Sequence, residues 1–408
     1  MSKRASREER ADGERTGRAP TQPPAPAKKG GSRRSPRWAL WCVVVGALLM
    51  VGSGAAVAGT RVLLGTATET VTQQNLLGET RVETKRVSVK GAKTILLVGL
   101  DTRPGQDPEK LTRSDSIILL HIPADHRRAY LVSLPRDSYV RIPEFDNGAQ
   151  RYAGGRNKIN AAFAYGSRGL TGQKALTGGF TLLAKTVKSL TGITPDAGAI
   201  IDFQGFRKVV DVLGKVCMYV DTTTTSIHYG HDNKTGKLTG PYRINPDGTL
   251  RGKIPGVTPN IYRKGNRCFT PSEALDFVRQ RDLLEDDSYD YGRQRHQQQF
   301  LKALIKNIMD SGLDSPTKLP GLLKAVGKTM TVDDGGVPLQ DWVFALRGIR
   351  PEDLVTIKTN NGKFNSENVP GVGSAEILSD TSMDLLKSVK TDTVDEFVLA
   401  NPGWVTRS

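Results

Sequence analysis

The sequence predicts an α/β sandwich, in which a central β-sheet is flanked by helices and preceded by one transmembrane helix. Short and almost continuously apolar runs of Ile, Leu and Val alternate with segments whose apolar residues recur every three or four positions. A charge-free run of 23 residues lies near the N-terminus. With 408 residues, 37% hydrophobic and 25% charged, the chain is neither a short disulfide scaffold nor a disordered protein.

Residues 1–37 are predicted to form a disordered, basic cytoplasmic tail. They hold eleven Lys and Arg against four acidic residues, and they are rich in Pro, Gly and Ser. Almost no large apolar side chain is present to offset the entropy of ordering. The tail carries +7 of the formal net charge of +16, so the remaining +9 is spread over the folded part without a single Lys-rich block.

Residues 38–60 are predicted to form a transmembrane signal anchor. Trp38–Thr60 carries no charge and is long enough to cross a hydrocarbon core of roughly 30 Å. The Lys and Arg excess before it places the N-terminus in the cytoplasm and everything after Arg61 outside the cell membrane. A cleaved signal peptide is one alternative, because Ala56–Ala58 resembles a cleavage site, although the apolar run exceeds the usual length of about 7 to 15 residues. A buried core helix is the other.

The predicted topology constrains partners and cysteine chemistry. Nucleic acid is scarce outside the membrane, so a basic domain there more plausibly meets lipid phosphates or anionic wall polymers, and no nucleic-acid partner is expected. Cys42 lies in the predicted span, which leaves Cys217 and Cys268 as an even pair in an oxidising space. A disulfide between them is permitted there, and two buried thiols are the alternative.

The predicted domain begins after a polar stalk or edge segment at residues 61–91. Strands are predicted at Thr94–Leu100, Ser116–Ile122, Ala129–Leu134, Ile200–Phe203 and Val216–Val220, and helices at Asn160–Tyr165, Phe180–Leu190 and Gly205–Leu213. Thr222–Asn266, rich in Gly, Pro, Thr and Asn, indicates a long loop or a small insertion. Residues 311–408 are predicted to complete the same α/β domain.

Charged side chains lie where the predicted strands end. Asp101 follows the first strand and Asp115 opens the second, so the two carboxylates are expected at one edge of the sheet. Two carboxylates together with water and substrate phosphate oxygens are the usual ligands of Mg²⁺. The third strand supplies Arg136 and Asp137. Each Asp alone fits a turn or a cap, but three converging strand ends favour a functional site.

A second set of charged residues lies on predicted helices. Thr270–Glu273 is a capping box that begins a helix, and this helix delivers Arg279 and Arg281 at its end. A later helix places Arg293 and Gln297 on one face, near an N-terminus that favours anions. The alternative is that these arginines form surface ion pairs with the acidic segment between the two helices.

Six motifs, taken in this order, resemble the LytR-CpsA-Psr family of cell-wall glycopolymer ligases, particularly its actinobacterial members. They are Gly99–Arg103, Arg113–Ile117, Ser133–Asp137, Asn157–Asn160, Asp202–Phe206 and the segment from Val278 to Gln297. The resemblance covers a catalytic core over residues 92–310. It implies that the central sheet is mixed and flanked by helices, as in other members of that family.

The resemblance also implies an activity and its partners. Such enzymes are membrane-anchored, Mg²⁺-dependent phosphotransferases, with Mn²⁺ as the alternative ion. They transfer a glycopolymer from a polyprenyl-pyrophosphate carrier to the muramic acid 6-hydroxyl of peptidoglycan and release polyprenyl phosphate. The implied partners are the lipid-linked glycan, peptidoglycan and the membrane, which is reached through one N-terminal helix. A polyprenyl-pyrophosphate phosphatase and a non-catalytic regulator that binds wall polymers are the alternatives.

Matching positions carry the family's residue roles over to this chain. Asp101 and Asp115 would hold the metal, and the catalytic set is Asp101, Asp115, Arg136 and Asp137. The pyrophosphate would be bound by Arg103, Arg113, Arg136, Lys158, Arg279, Arg281, Arg293 and Gln297. Phosphoryl transfer relies on positioning and on cancelling negative charge, for which the planar guanidinium is well suited. The resemblance also supports the Cys217–Cys268 disulfide, and it leaves Asp137 or a metal-bound carboxylate as the general base.

A polyprenyl chain requires an apolar cavity, and the expected walls are on the predicted helices. They are Phe163, Phe180, Leu182, Leu183, Val187, Val209 and Leu213, which fit an ordinary core equally well. His296 stands where the family usually has an Arg before the Gln. We expect this difference to weaken one phosphate contact or to make it pH-dependent.

Overall fold

The structure, a computed structural model, describes residues 71–78, 89–100, 113–245, 249–312, 330–346 and 348–406, together with Gly321, Lys324 and Gly327. These residues belong to one of the two compact units of the chain, Ala56–Ser408. The predicted tail and anchor, residues 1–37 and 38–60, lie outside the described residues. Within the described ranges, no helix combines the length and the apolar character needed to cross a bilayer.

The described strands and helices alternate along the chain as the sequence predicts. The strands are β1 (Thr72–Gln73), β2 (Lys93–Leu100), β3 (Ser114–Ile122), β4 (Ala129–Ser133), β5 (Tyr139–Ile142), β6 (Phe145–Asp146), β7 (Arg151–Tyr152), β8 (Gly155–Lys158), β9 (Ala197–Asp202), β10 (Val216–Val220), β11 (Thr224–Asp232), β12 (Leu238–Thr239), β13 (Tyr242–Ile244), β14 (Leu250–Lys253), β15 (Val257–Tyr262), β16 (Gly265–Phe269), β17 (Met330–Asp333), β18 (Leu354–Lys358), β19 (Ser366–Val369) and β20 (Gly373–Glu376). The helices are α1 (Asn160–Ser167), α2 (Gly172–Thr191), α3 (Phe203–Leu213), α4 (Pro271–Phe277), α5 (Tyr289–Asp310), α6 (Leu339–Leu346), α7 (Asp380–Thr391) and α8 (Val394–Ala400).

The central sheet has the strand order β1-β17-β9-β2-β3-β4-β18. Strand β2 pairs in parallel with β9 and antiparallel with β3, and β4 pairs in parallel with β18. The sheet is therefore mixed, which confirms the predicted fold class. Its outer strands come from both ends of the described chain, because β1 lies within residues 61–91 while β17 and β18 lie beyond residue 311.

The register of the sheet brings the ends of three strands together. Leu100 at the end of β2 pairs with Ser114 at the start of β3 and with Asp202 at the end of β9. Asp202 then caps α3, because its Oδ1 accepts a hydrogen bond of 2.8 Å from the backbone N–H of Gly205. Asp115, on β3, and Asp202, at the end of β9, therefore lie at one edge of the sheet.

One face of the sheet is closed by helices α1 and α2, and we call it the closed face. Leu96, Leu119 and Ile200 point to this side and are buried in one large core with the apolar residues of both helices. The fit is tight, since a Cβ added at Gly198 would lie 2.4 Å from the ring of Phe180.

The segment Thr222–Asn266 is not a loop but a small β-rich insertion. It carries β11 to β15, which form one three-stranded and one two-stranded antiparallel sheet. The strands of this insertion are rich in Thr, Ile and Tyr, residue types that favour strands. Burial of side chains such as Tyr262, which packs on Phe269 and Phe277, stabilises them.

Cys217 and Cys268 are joined by a disulfide. They lie directly opposite each other on the antiparallel strands β10 and β16, and both are exposed. The alternative of two buried thiols is therefore wrong for this pair.

Candidate functional site

A cavity of about 900 Å³ lies on the other face of the central sheet, which we call the open face. Leu97, Ile118 and Ile201 of the sheet form one wall. The opposite wall comes from α3 and α5 and consists of Phe206, Val209, Phe300, Leu301, Leu304 and Ile308. An apolar pocket of this size accommodates a sizeable organic ligand or a folded hydrocarbon chain.

The side chains that line the cavity change from polar to apolar along α5. Arg293 and Gln297 line it near the start of the helix, and apolar side chains line it from Phe300 to Ile308. At 1.5 Å per residue, the wall between Arg293 and Ile308 runs for roughly 22 Å. The cavity therefore has a charged end and an apolar end.

The expected apolar walls are mostly wrong. Of the seven predicted residues, Val209 lines the cavity. Phe163, Phe180, Leu182, Leu183 and Val187 are instead buried in the core of the closed face, and Leu213 packs beside β10, β16 and α4. An amphipathic pattern shows that a helix has an apolar face, but it does not show whether protein or ligand covers that face.

The charged end is built around Arg136. Its Nη1 donates a hydrogen bond of 2.6 Å to Asp115 Oδ1, and its Nε lies 3.7 Å from carboxylate oxygens of both Asp137 and Asp290. Lys158 Nζ lies 3.2 Å from the other oxygen of Asp137. Arg136 therefore links β3 and α5 to the turn after β4, and Lys158 of β8 joins them through Asp137.

Arg293 joins the same network from α5. Its Nη2 lies 2.5 Å from Asp290 Oδ1 and donates to the backbone carbonyl of Asp115 at 3.4 Å. The Arg293 side chain is 7% exposed, so the guanidinium is held within the protein while still lining the cavity. We call Asp115, Arg136, Asp290 and Arg293 the charged cluster.

Burial and neighbouring charges shift the pKa values of three members of the charged cluster, Arg136, Asp290 and Arg293. Burial alone would lower the pKa of Arg136, but Asp115, Asp290 and Asp137 raise it above its usual value. Burial would raise the pKa of Asp290, but Arg293 and Arg136 hold it below its usual value. Burial lowers the pKa of Arg293 against the opposing effect of Asp290. The cluster combines buried cations and anions that support one another.

Four further predicted residues line the charged end. The guanidinium of Arg279 lies 4.4 Å over the ring of Phe203. Arg281 Nε lies 3.4 Å from Asp282, and Gln297 Nε2 donates to the backbone carbonyl of Val278 at 3.3 Å. The fourth residue, Arg113, is exposed at the start of β3. Five arginines in total therefore face one end of one cavity.

The sequence model of the LytR_cpsA_psr family matches residues 61–378, which is more than half of the chain. This chain belongs to the LytR_cpsA_psr family.

Individual members of the LytR_cpsA_psr family are similar over most of their length. The Regulatory protein MsrR of Staphylococcus aureus is 26% identical over 313 residues, which is 75% of either chain. The Polyisoprenyl-teichoic acid--peptidoglycan teichoic acid transferase TagU of Oceanobacillus iheyensis is 26% identical over 308 residues, covering 75% of this chain and 78% of TagU. The crystal structure of protein gbs0355 from Streptococcus agalactiae shares the fold, with a TM-score of 0.52 and 22% identity over 74% of this chain and 88% of that one.

The remaining family positions divide into described and undescribed residues. Asp101 and Arg103 lie outside the described residues. Asp115 lines the cavity and uses Oδ1 to bind Arg136. In the part of the chain that the structure describes, no group of three or more His, Cys, Asp or Glu side chains could hold a metal ion. Three carboxylate residues, Asp115, Asp202 and Asp282, line the cavity. Mg²⁺ is usually bound in proteins through one or two carboxylates plus substrate phosphates.

His296 departs from the family pattern, and its place in the fold differs from the expectation. It is fully buried, stacks on Phe277 with the ring centroids 4.2 Å apart, and is not among the residues that line the cavity. Burial lowers its pKa to about 4, so the imidazole is neutral at physiological pH. Of the two expectations for His296, a pH-dependent phosphate contact is therefore wrong, because the imidazole does not line the cavity.

Asp290 is the residue that sequence reasoning missed. It belongs to the acidic segment for which surface ion pairs are the alternative role, yet its side chain is only 17% exposed and pairs with Arg293 and Arg136. The spacing does indicate this pairing, because Asp290 lies three residues before Arg293 and so shares a helix face with it.

Proposed function

We propose that this protein is a membrane-anchored, extracytoplasmic phosphotransferase that moves a glycopolymer from a polyprenyl-pyrophosphate carrier to peptidoglycan. The muramic acid 6-hydroxyl is the acceptor, and polyprenyl phosphate is released. The observation that carries the proposal is the cavity with five arginines at one end and an apolar wall at the other. This shape matches an amphiphile with an anionic head group and a long hydrocarbon chain. The relative TagU, which this chain matches over 78% of its length, is a polyisoprenyl-teichoic acid–peptidoglycan teichoic acid transferase by name, and this supports the same function.

The arginines bind and orient the pyrophosphate of the lipid-linked donor. Arg136 and Arg293 are fixed by the charged cluster before the substrate arrives, so their positive charge needs little reorganisation when negative charge develops on the phosphoryl oxygens. Arg279 and Arg281 flank the same end of the cavity. Their planar groups can each contact two oxygens, which also fixes the direction of the phosphorus.

Asp115, together with Asp101, would hold Mg²⁺ or alternatively Mn²⁺. When bound, the ion would neutralise part of the negative charge of the pyrophosphate. The protein's own contribution at this position is the placement of Asp115 beside Arg136, which keeps the carboxylate oriented toward the cavity.

Asp137 is the proposed general base for the sugar hydroxyl. Its two oxygens are held by Lys158 and by Arg136, so the carboxylate has a fixed orientation next to the charged end. A metal-bound carboxylate is the alternative base. In either case the hydroxyl oxygen attacks the glycan-side phosphorus as it loses its proton, and the bond to the lipid phosphate breaks.

A regulatory role is the second candidate function, because the relative MsrR is described as a regulatory protein. In that role the same cavity would hold a lipid-linked polymer without turning it over. A phosphatase differs from both, since water would replace the sugar hydroxyl as the attacking group.

The test uses the full chain in detergent with a polyprenyl-pyrophosphate glycan and soluble peptidoglycan oligomers, with and without Mg²⁺. Products are identified by mass spectrometry. A glycan-phosphate-peptidoglycan adduct that requires Mg²⁺ and Asp101 supports the ligase. Free phosphorylated glycan without an adduct indicates a phosphatase, and donor binding without turnover indicates a regulator. Arg128→Ala is the matched control, because Arg128 forms an exposed ion pair with Asp395.

A further inference from the structure

Two half-exposed aromatic rings lie beside the charged cluster. Tyr289 is 48% exposed and Phe364 is 49% exposed, and their ring centroids are 6.2 Å apart. Phe364 also contacts the buried ring of Tyr291 at 5.0 Å. Tyr289 directly precedes Asp290 of the charged cluster in the chain. We call Tyr289, Tyr291 and Phe364 the aromatic platform.

The loop that carries Phe364 is held in place by one buried carboxylate. Glu376 is 4% exposed, and its Oε1 accepts hydrogen bonds from Tyr291 Oη and Asn360 Nδ2, both 2.7 Å long. The backbone N–H of Asn365 donates to the same oxygen at 2.9 Å. Residues on both sides of Phe364 are therefore fixed, although its ring faces solvent.

The same carboxylate-bearing residue ties the loop to the proposed catalytic residues. The backbone N–H of Glu376 donates to the carbonyl of Asp137 at 2.9 Å, and Ser138 forms a β-bridge with Glu376. The aromatic platform is thus a fixed neighbour of Asp137 on one side and of Asp290 on the other.

The backbone is strained where the platform is presented. Tyr289 has φ +41°, and Asn360 and Asn361 have φ +51° and +54°. Asn tolerates the left-handed region, but a bulky aromatic residue adopts it only where the surroundings enforce it. At Tyr289, the strain keeps an apolar ring in water beside the site, which is a typical property of binding surfaces.

The charge around the platform selects its partner. Glu285, Asp286 and Asp287 are exposed in the segment that leads to Tyr289. These carboxylates repel anionic wall polymers and anionic lipid head groups. They are good acceptors for hydroxyl donors. The C–H face of a pyranose ring is apolar and carries partial positive charge, which complements the negative face of an aromatic ring.

We propose that the aromatic platform is the subsite for a sugar ring of the acceptor glycan. It stacks on one pyranose and so brings a hydroxyl of the acceptor to Asp137 and the charged end of the cavity. This inference rests on the proposed function, because it assigns the acceptor side of the same reaction.

The test compares Phe364→Ala, Tyr289→Ala and Phe364→Trp in the full chain. The acceptor probe is a tetrasaccharide of alternating N-acetylglucosamine and N-acetylmuramic acid whose lactyl carboxyls are converted to amides, so that the probe is uncharged. We expect either Ala variant to raise the KM for the tetrasaccharide about tenfold, to leave kcat nearly unchanged, and to lose saturation-transfer NMR signals from the sugar C–H protons. Phe364→Trp should retain the signals. Leu399→Ala, at an exposed leucine (82%) in α8, is the matched control.

Other outcomes separate this inference from the proposed function. Unchanged tetrasaccharide binding in both Ala variants overturns the inference, and so does an equal loss of donor binding and of thermal stability. Loss of binding to vesicles containing phosphatidylglycerol, with sugar binding retained, would identify a lipid surface instead and also overturn it. If the wild type binds the tetrasaccharide through the platform but never consumes the donor, the subsite stands and the ligase fails.

Discussion

The two faces of the central sheet are made by the same strands and have opposite roles. On β2, Leu96 points to the closed face and Leu97 to the open face; on β9, Ile200 and Ile201 do the same. The closed face packs against helices in one large core, and the open face meets a cavity of about 900 Å³. Apolar side chains stabilise the fold on one face and remain available to a ligand on the other.

The helices explain this difference. On the closed side α1 and α2 approach each other closely, since a Cβ added at Gly166 would lie 2.2 Å from the carbonyl oxygen of Gly178. Small residues at this crossing let both helices settle on the sheet. On the open side α3 and α5 present large side chains such as Phe206 and Phe300 and leave a space between themselves and the strands. The open face therefore keeps a cavity, whereas the closed face is filled by side chains.

The strongest test of the difference between the closed and open faces is to truncate one apolar side chain on each face. Phe180 is fully buried on the closed face, and Leu304 lines the cavity. We expect Phe180→Ala to reduce the free energy of unfolding by about 3–5 kcal/mol, and Leu304→Ala to reduce it by less than about 1.5 kcal/mol, because Leu304 already borders empty space. Urea unfolding of both variants measures this. Equal losses would mean that the open face is packed like the closed one.

The next largest effect is expected at the charged cluster, where the open face ends. Arg293→Lys keeps the charge but loses the planar group that reaches both Asp290 and the Asp115 carbonyl. We expect turnover of the lipid-linked donor to fall about 10²- to 10³-fold, as when a fixed group that stabilises developing charge is removed. The measurement is the rate of polyprenyl phosphate release, with Arg128→Ala as the control. A rate within threefold of the wild type would remove Arg293 from the proposed machinery.

Adjacent residues on β9 allow a finer comparison. Gly198 faces Phe180 on the closed side, whereas Ala199 lines the cavity. Gly198→Ala should lower the free energy of unfolding by about 1–3 kcal/mol, because the added Cβ overlaps the ring. Ala199→Phe should leave stability within about 1 kcal/mol and weaken donor binding, since it fills the cavity. Denaturant unfolding and donor titration check both changes. Donor binding that survives Ala199→Phe would show that the hydrocarbon chain lies elsewhere.

The smallest expected effect is a dependence of stability on pH. A buried histidine lies on each side of the central sheet, His121 near the closed face and His296 on α5. Burial lowers the pKa of both imidazoles. The unfolded chain therefore binds more protons, so stability is complete above about pH 6.5 and decreases as the pH falls. For His296, whose pKa falls to about 4, the loss between pH 7 and 5.5 is about 1 kcal/mol.

Chemical unfolding of His296→Phe across this pH range provides the check. Phe can keep the stacking on Phe277 and removes the titrating group. The variant should lose part of the pH dependence. If its unfolding curve shifts with pH as much as that of the wild type, His296 is not the titrating group.

Much of the fold could be predicted because it is encoded locally. The apolar runs gave β2, β3 and β4, and the capping box at Thr270–Glu273 is present as predicted, with reciprocal hydrogen bonds. The convergence of Asp115, Arg136 and Arg293 was also predictable, because strand ends and helix faces follow simple geometry.

The rest depends on packing between distant segments. Whether an apolar helix face meets protein or a cavity is decided by the distance between layers, so Phe180 and Leu304 cannot be told apart by type or spacing. Asp290 looked like one acid among several until the fold buried it between two arginines. The strands of the insertion were hidden by Gly- and Asn-rich turns, which also occur in loops.

The strand order of the central sheet has a consequence for how the chain is made. Strand β17 lies between β1 and β9, and the backbone N–H of Leu77 donates to Asp333 across 256 residues of sequence. Closing loops of this length is slow, so the sheet assembles late in folding. A chain that emerges from its N-terminal end holds an incomplete sheet with open edges until residue 358 of β18 is available. The charged cluster, which joins residues 115 and 293, therefore forms only after most of the polypeptide has been synthesised.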